Sequence, residues 1–299
     1  MKQFIYLPII ILLGCKPAVT GPAPQADKLR VAVVNFPLAY FVERIAGDLV
    51  EVHFPDMEGD PAFWKPTAAE VRAFQSSDLI LLNGASYAKW TAWTSLPDSR
   101  TTNTSTAFCE AFIAVKTDAA HQHGKGGEHS HAGTAFTTWL DFKQAQHQAA
   151  AVHRALMNVL PAHSQRLANN FVALQRDLVS LDADLRGIAA DLGDTPLLGS
   201  HPVYQYLARG YELNIRSVHW EPDTMPDEAG WAELAALRKT HPAKVMLWED
   251  APNQVIIAKL KTRGIRTVIF APCANRAASD WLTVMRENVA ALREMQQLE

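Results

Sequence analysis

Cysteine is scarce, with three in 299 residues, at Cys15, Cys109 and Cys273. So few thiols exclude a disulfide-held scaffold, although one Cys109–Cys273 bridge stays open on sequence grounds. Net charge is equally slight. With 28 Lys and Arg against 31 Asp and Glu, the formal charge is −3, and no basic cluster offers a nucleic acid a footprint. The longest apolar run, Phe4 to Leu13, is interrupted by Tyr6 and Pro8 and is too short to span a bilayer stably. No combination of nucleophile, base and orienting residue stands out, so no catalytic residue is assigned and an enzyme is not expected. Aromatics, by contrast, are ample. Eight Trp and 12 Phe can furnish a core, and the roughly 285 residues after the leading run suffice for two domains of ordinary size.

The start of the chain reads as a targeting segment rather than a structural one. Lys2 supplies the positive end, the apolar run follows, and Gly14 precedes Cys15. This resembles a bacterial lipoprotein signal, in which cleavage falls before Cys15 and that cysteine is lipidated. Residues 16–27, rich in Pro, Ala and Gly, would then form a flexible tether. The expectation is an exported bacterial lipoprotein, periplasmic or on the cell surface, held to the membrane through its acyl anchor.

His121 to His131, HQHGKGGEHSH, is the most unusual stretch. It holds four histidines and three glycines and no apolar side chain. Such a segment gains little by burial, so an exposed loop is expected. Imidazoles at this density suit zinc, copper or nickel.

Around it the chain alternates short apolar segments with helical patterns. Strands are expected at Leu29–Val34, Val50–Phe54, Leu79–Leu82 and Phe112–Val115, then at Pro196–Leu198, Leu213–Val218, Val245–Trp248 and Thr267–Phe270. Helices are expected between them, one opened by a Thr67/Glu70 capping box. Leu167, Phe171, Leu174, Leu178, Leu181, Leu185 and Ile188 form an apolar stripe at spacings of four and three, predicting one long helix. The fold class is therefore α/β: two similar lobes, each a parallel or mixed sheet flanked by helices, joined by that helix. The divisions are a signal over 1–15, a tether over 16–27, an N-terminal lobe over 28–160, a linking helix over 161–190 and a C-terminal lobe over 191–299.

Open α/β sheets place ligand sites at the carboxyl ends of strands. There the second half offers His201 in Gly199-Ser200-His201-Pro202, then His219 and Glu221, Glu249 and Asp250, and Cys273. In the first half Asp60 to Thr67 is a rigid aromatic turn, expected to supply wall rather than a ligand.

In order and spacing the chain resembles the substrate-binding proteins of bacterial zinc and manganese ABC importers, over roughly Lys28 to Leu298. The residues that carry the likeness are Val33–Pro37, RIAGDLVEV ending at Val52, Asp60-Pro61 with Pro66-Thr67, Ser77-Asp78-Leu79, Asn83-Gly84, Thr138-Trp139-Leu140-Asp141, LLGSHPVYQYLARGYEL over Leu197–Leu213, and Glu221-Pro222. The resemblance implies metal bound between two lobes and delivery to a membrane permease, with a monomer and no nucleic acid. It also implies ligands at positions 62, 137, 201, 249 and 271. His201 and Glu249 fit, whereas Ala62, Thr137 and Ala271 depart from the pattern.

Two repairs are chemically reasonable. His129 or His131 could join His201 and Glu249, with His219 as a further donor, or Cys273 could supply a thiolate. The leading expectation is capture of a divalent transition metal, zinc before manganese, copper or nickel. A second reading is a binder of a metal chelate or organic solute, with Phe63, Trp64, Trp220 and Trp248 as pocket wall. A third is a metal-buffering or structural surface lipoprotein.

Overall fold

The computed structural model describes residues 28–57, 59–115, 120–122, 128–130 and 133–296, with backbone alone for 120–122 and 128–130. Cys15 and His131 lie outside these residues, as does the side chain of His129. Among the described residues no helix is long and apolar enough to cross a membrane.

The first sheet contains β1 (Leu29–Val33), β2 (Val50–His53), β3 (Leu79–Leu82) and β4 (Thr101–Asn103), all parallel, in the order β2-β1-β3-β4. Two small antiparallel pairs follow. β5 (Ala114–Val115) pairs with β8 (Gly133–Thr134), and β6 (Ala120–Gln122) with β7 (Glu128–Ser130). The second sheet, β9 (Leu197–Gly199), β10 (Ile215–Ser217), β11 (Val245–Trp248) and β12 (Arg266–Ile269), is again all parallel, in the order β10-β9-β11-β12. The two lobes thus share one strand order, and the expected α/β architecture is the one observed. Two expectations needed correction. Phe112–Val115 contributes only the short β5 outside the main sheet, and the fourth strand is the polar Thr101–Asn103, whose threonines carry β propensity without an apolar signal.

Among the described residues eight α-helices complete the frame: α1 (Phe36–Ala46), α2 (Ala68–Ser76), α3 (Phe142–Val159), α4 (Ser164–Leu192), α5 (Gln205–Tyr211), α6 (Glu228–Thr240), α7 (Gln254–Lys261) and α8 (Trp281–Gln296). The Thr67 hydroxyl and Glu70 carboxylate form the capping box that starts α2. The α4 helix is about 40 Å long at 1.5 Å per residue. Its stripe is buried at Leu167, Leu174, Leu178, Leu181, Leu185 and Ile188 against α1, α3 and α8. Each such leucine contributes on the order of 1.5–3 kcal/mol by leaving water.

One apolar core runs from the first sheet through α1, α3, α4 and α8 to the inner face of the second sheet. A separate core covers that sheet's outer face. Strand alternation divides the two: Val245 and Leu247 enter the first, Met246 and Trp248 the second. Polar contacts stitch the seam between the lobes. Trp139 Nε1 donates to Pro272 O (2.8 Å), Tyr206 Oη to Ala135 O (3.0 Å), Thr137 Oγ1 to Val203 O (2.5 Å) and Phe36 N to Ala274 O (2.8 Å).

Candidate metal site

In each sheet the order turns about its first strand, so the crevice at the carboxyl ends opens beside β1 and β3 in one lobe and β9 and β11 in the other. In the N-terminal lobe this position is occupied by amides. Asn35 Nδ2 donates to Asn83 Oδ1 (3.1 Å), and Gln148 Nε2 donates to the same oxygen (3.0 Å), all three side chains being buried. Asn83 Nδ2 in turn donates to Phe136 O (3.0 Å), fixing the segment that leads into Thr137.

The C-terminal lobe presents ionisable groups instead. The β9 strand ends at Gly199, where a Cβ would lie 2.5 Å from Ser217 Oγ and 3.0 Å from Tyr204 Cδ2, so only glycine lets the chain turn there. Two residues on, His201 is buried. Beyond its last strand residue β10 keeps pairing with β9: Val218 N donates to Gly199 O (3.0 Å) and Trp220 N to Ser200 O (2.7 Å). The extended backbone alternates, so Val218 and Trp220 turn to the outer core while His219 and Glu221 turn to the other side. His201 Nδ1 lies 3.5 Å from Glu221 Oε1, and the rings of His201 and His219 have centroids 5.8 Å apart, nearly perpendicular at 82°.

Glu249 follows Trp248 and therefore belongs to the inner side of the sheet, where it is half-buried. Burial pushes its carboxyl up to about 8, and the charges of Asp60 and Glu221 add to the shift. Asp60 belongs to the opposite lobe. Its Oδ1 accepts from Ala62 N (2.8 Å) and from Tyr87 Oη (3.5 Å), and Asn275 Nδ2 donates to Gly59 O (2.5 Å), tying this turn to the C-terminal lobe. Burial keeps Tyr87 a phenol, raised well above its ordinary value. Lys89 also lies near Asp60, its ammonium 5.4 Å from the Phe136 ring centroid, and burial lowers its pKa.

Of the expected donors, the structure thus brings His201 and His219 together, with Glu221 beside His201 and Glu249 within its electrostatic reach. Among the described residues no three His, Cys, Asp or Glu side chains are drawn tightly enough to enclose an ion as they stand. His131 and the side chain of His129 lie outside the described residues.

Cys273 takes no part in the cluster. Its Sγ lies 3.8 Å from Asn275 O, and burial, with Asp280 nearby, pushes the thiol up to about 12. Cys109 and Cys273 are both free thiols. Ala62 is fully buried, the Thr137 hydroxyl is engaged with Val203 O, and Ala271 exchanges backbone hydrogen bonds with the Asn288 side chain at 3.0 and 2.8 Å.

The expected aromatic wall requires correction. Trp248 is 0 % and Trp220 4 % exposed, and the two pack against each other and Leu234 in the outer core, because alternation turns them away from the cleft. Trp64 joins Phe74 and Trp90, and only Phe63, edge-on to Phe136 at 5.9 Å, keeps company with the cleft segment. The sequence reads Asp60 with its turn as wall, and the structure makes it the cap of Pro61–Phe63, its Oδ1 accepting from Ala62 N. Glu221, which the sequence offers as a strand-end carboxylate, is the one placed beside His201.

Twin parallel sheets of one strand order with a long helix between them define a two-lobed α/β protein, with His201, His219 and Glu221 at strand ends of the second sheet. Residues 31–295 match the family described as zinc-uptake complex component A, periplasmic, and the chain belongs to that family. It is 23% identical over 292 residues to the high-affinity zinc uptake system protein ZnuA of Bacillus subtilis, covering 90% of this chain and 88% of that one. It is also 23% identical over 287 residues to the zinc-binding protein AdcA of Streptococcus pyogenes, covering 89% of this chain but 56% of the relative. The chain therefore spans about half the length of that longer relative. In fold it is similar to the metal-dependent lipoprotein YcdH from Bacillus subtilis, with TM-score 0.76 at 20% identity, covering 89% of this chain and 99% of that one. The Zn(II)-bound ZnuA-like domain of Streptococcus pneumoniae AdcA gives 0.74 at 19% identity, covering 90% and 98%.

Proposed function

We propose that this protein captures a divalent transition metal, zinc foremost, outside the cytoplasmic membrane and hands it to the permease of an ABC importer. The observation that carries the reading is the buried His201 imidazole with Glu221 3.5 Å from its Nδ1 at the mouth of the interlobe seam. A carboxylate this near one ring nitrogen favours the proton on that side and leaves the other nitrogen to donate to an ion, the arrangement that metal-binding histidines ordinarily use. Glu249 and His219 supply further donors, and Cys273 is left out because its Sγ is directed to Asn275 O at 3.8 Å. Relatives named for zinc uptake and zinc binding support the choice of metal. The protein acts as a carrier and not an enzyme, anchored through a lipid on Cys15. Its working parts are a lobe over 28–160, a linking helix over 161–190 and a second lobe over 191–299, with His129 and His131 as auxiliary donors.

Calorimetric titration with Zn²⁺ tests the proposal on the full chain carrying alanine at His121, His123, His129 and His131. One tight site should remain, and His201→Ala should abolish it. Tight binding that survives His201→Ala would overturn the cleft reading.

A further inference from the structure

Whatever the crevice holds, one edge of it is closed by a segment that the proposed function does not use. β2 and β12 are edge strands of their sheets, and the chain leaving the carboxyl end of each meets the other across the seam. After β12 the backbone runs from 270 to 280 without helix or strand. Both ends of this stretch are fixed. Trp139 Nε1 donates to Pro272 O (2.8 Å), and buried Trp281 packs on Tyr40 and Phe41 with ring centroids 5.8 and 5.3 Å away.

Three consecutive residues clasp the middle to the N-terminal lobe. Ala274 O accepts from Phe36 N (2.8 Å), and Asn275 Nδ2 donates to Gly59 O (2.5 Å) and Met57 O (3.3 Å). Arg276 pairs with Glu43 at 2.9 Å, and its guanidinium lies 5.4 and 5.7 Å from the ring centroids of Phe36 and Phe54. Charge and ring contact thus hold one side chain together. Cys273, just before the clasp, has φ +56°, a left-handed backbone that persists where its surroundings impose it.

This clasp differs from the rest of the seam in its exposure. The Arg276 and Glu43 side chains are 49% and 41% exposed, and residues 276–280 are all exposed. The hydrogen bonds of Trp139, Tyr206 and Thr137 are buried. A wet segment with few buried apolar contacts opens locally ahead of the core. We propose that residues 273–280 form a lid over the β2–β12 edge of the crevice, hinged at Pro272 and Trp281 and latched by Asn275 and Arg276. Its release admits small solutes at that edge while the lobes keep their relation.

Hydrogen exchange on the metal-free full chain tests the lid, with three amides as reporters. Phe36 opens α1, so its N–H has no partner within the helix and donates to Ala274 O instead. Ile113 N and Phe142 N cross the seam elsewhere, to Tyr206 Oη (3.3 Å) and Tyr211 Oη (3.0 Å). In the Asn275→Ala, Arg276→Ala double variant, exchange at Phe36 should quicken by roughly 10-fold or more, with Ile113 and Phe142 unaltered. Cys273 packs against the inner core. Its alkylation by N-ethylmaleimide, read by peptide mass against exposed Cys109, should quicken too. Unchanged exchange at Phe36, or unchanged alkylation, would overturn the proposal. Equal acceleration at all three amides with the thermal midpoint intact would do so as well, since the lobes would then part as one body. If the double variant fails to fold, Arg276→Ala alone makes the same comparison.

Discussion

Glu249 should make the metal-free protein less stable as pH rises. Its carboxyl is moved from 4.5 to about 8, first by burial and then by the charges of Asp60 and Glu221. The folded state therefore holds this proton more tightly than the unfolded chain. The contribution to stability is complete below about 4.5 and drains away as pH climbs through about 8. Between pH 5 and pH 8 the loss from this one group is about 3 kcal/mol. Glu249→Gln removes that dependence while keeping size and polarity. Thermal unfolding in the presence of chelator should therefore show the variant gaining on the parent steadily across that range, by on the order of 6–12 °C at the alkaline end. Excess Zn²⁺ should erase the difference or invert it, since a bound cation favours the ionised carboxylate. Parallel stability–pH curves for the two proteins would refute the reasoning, because they would mean that Glu249 ionises alike in both states.

Other perturbations separate framework from site. Leu181→Ala, in the buried stripe of α4, should cost about 2–5 kcal/mol, read as a lowered urea midpoint with an unchanged slope. Trp248→Ala should cost about 3–5 kcal/mol yet leave the zinc affinity of the folded protein unaltered by calorimetry, since that ring belongs to the outer core. Trp139→Phe removes the donor to Pro272 O at a cost of about 1 kcal/mol, and hydrogen exchange at residues 273–275 should quicken. Cys273→Ser should leave Zn²⁺ affinity as it was.

Most of the framework could be read from periodicity. The alternation of short apolar runs with helical patterns, the Thr67/Glu70 box and the stripe from Leu167 to Ile188 are local signals that tertiary packing reinforced. Thr101–Asn103 escaped because an edge strand beside β3 needs no apolar face. The site was legible in part. His201, His219 and Glu249 follow from strand ends, a rule of topology. What the N-terminal lobe sets opposite them did not, because that depends on how the two lobes face each other, and no spacing within one lobe encodes it. Trp220 and Trp248 were misplaced for a simpler reason. Position at a strand end says nothing about which side a ring takes, whereas counting alternation along His219-Trp220-Glu221 would have turned the tryptophan to the outer core, away from the cleft.

The hydrogen bonds from Trp139, Tyr206, Thr137 and Phe36 bear on how the two lobes can move. A jaw-like swing of the halves would break all of them at once, at about 0.5–1.5 kcal/mol each, and would also part the continuous apolar layer that α1, α3, α4 and α8 share. Wholesale gaping is thus an expensive motion. Rotation of a few side chains at the rim leaves both the hydrogen bonds and the shared layer intact and is the cheaper one.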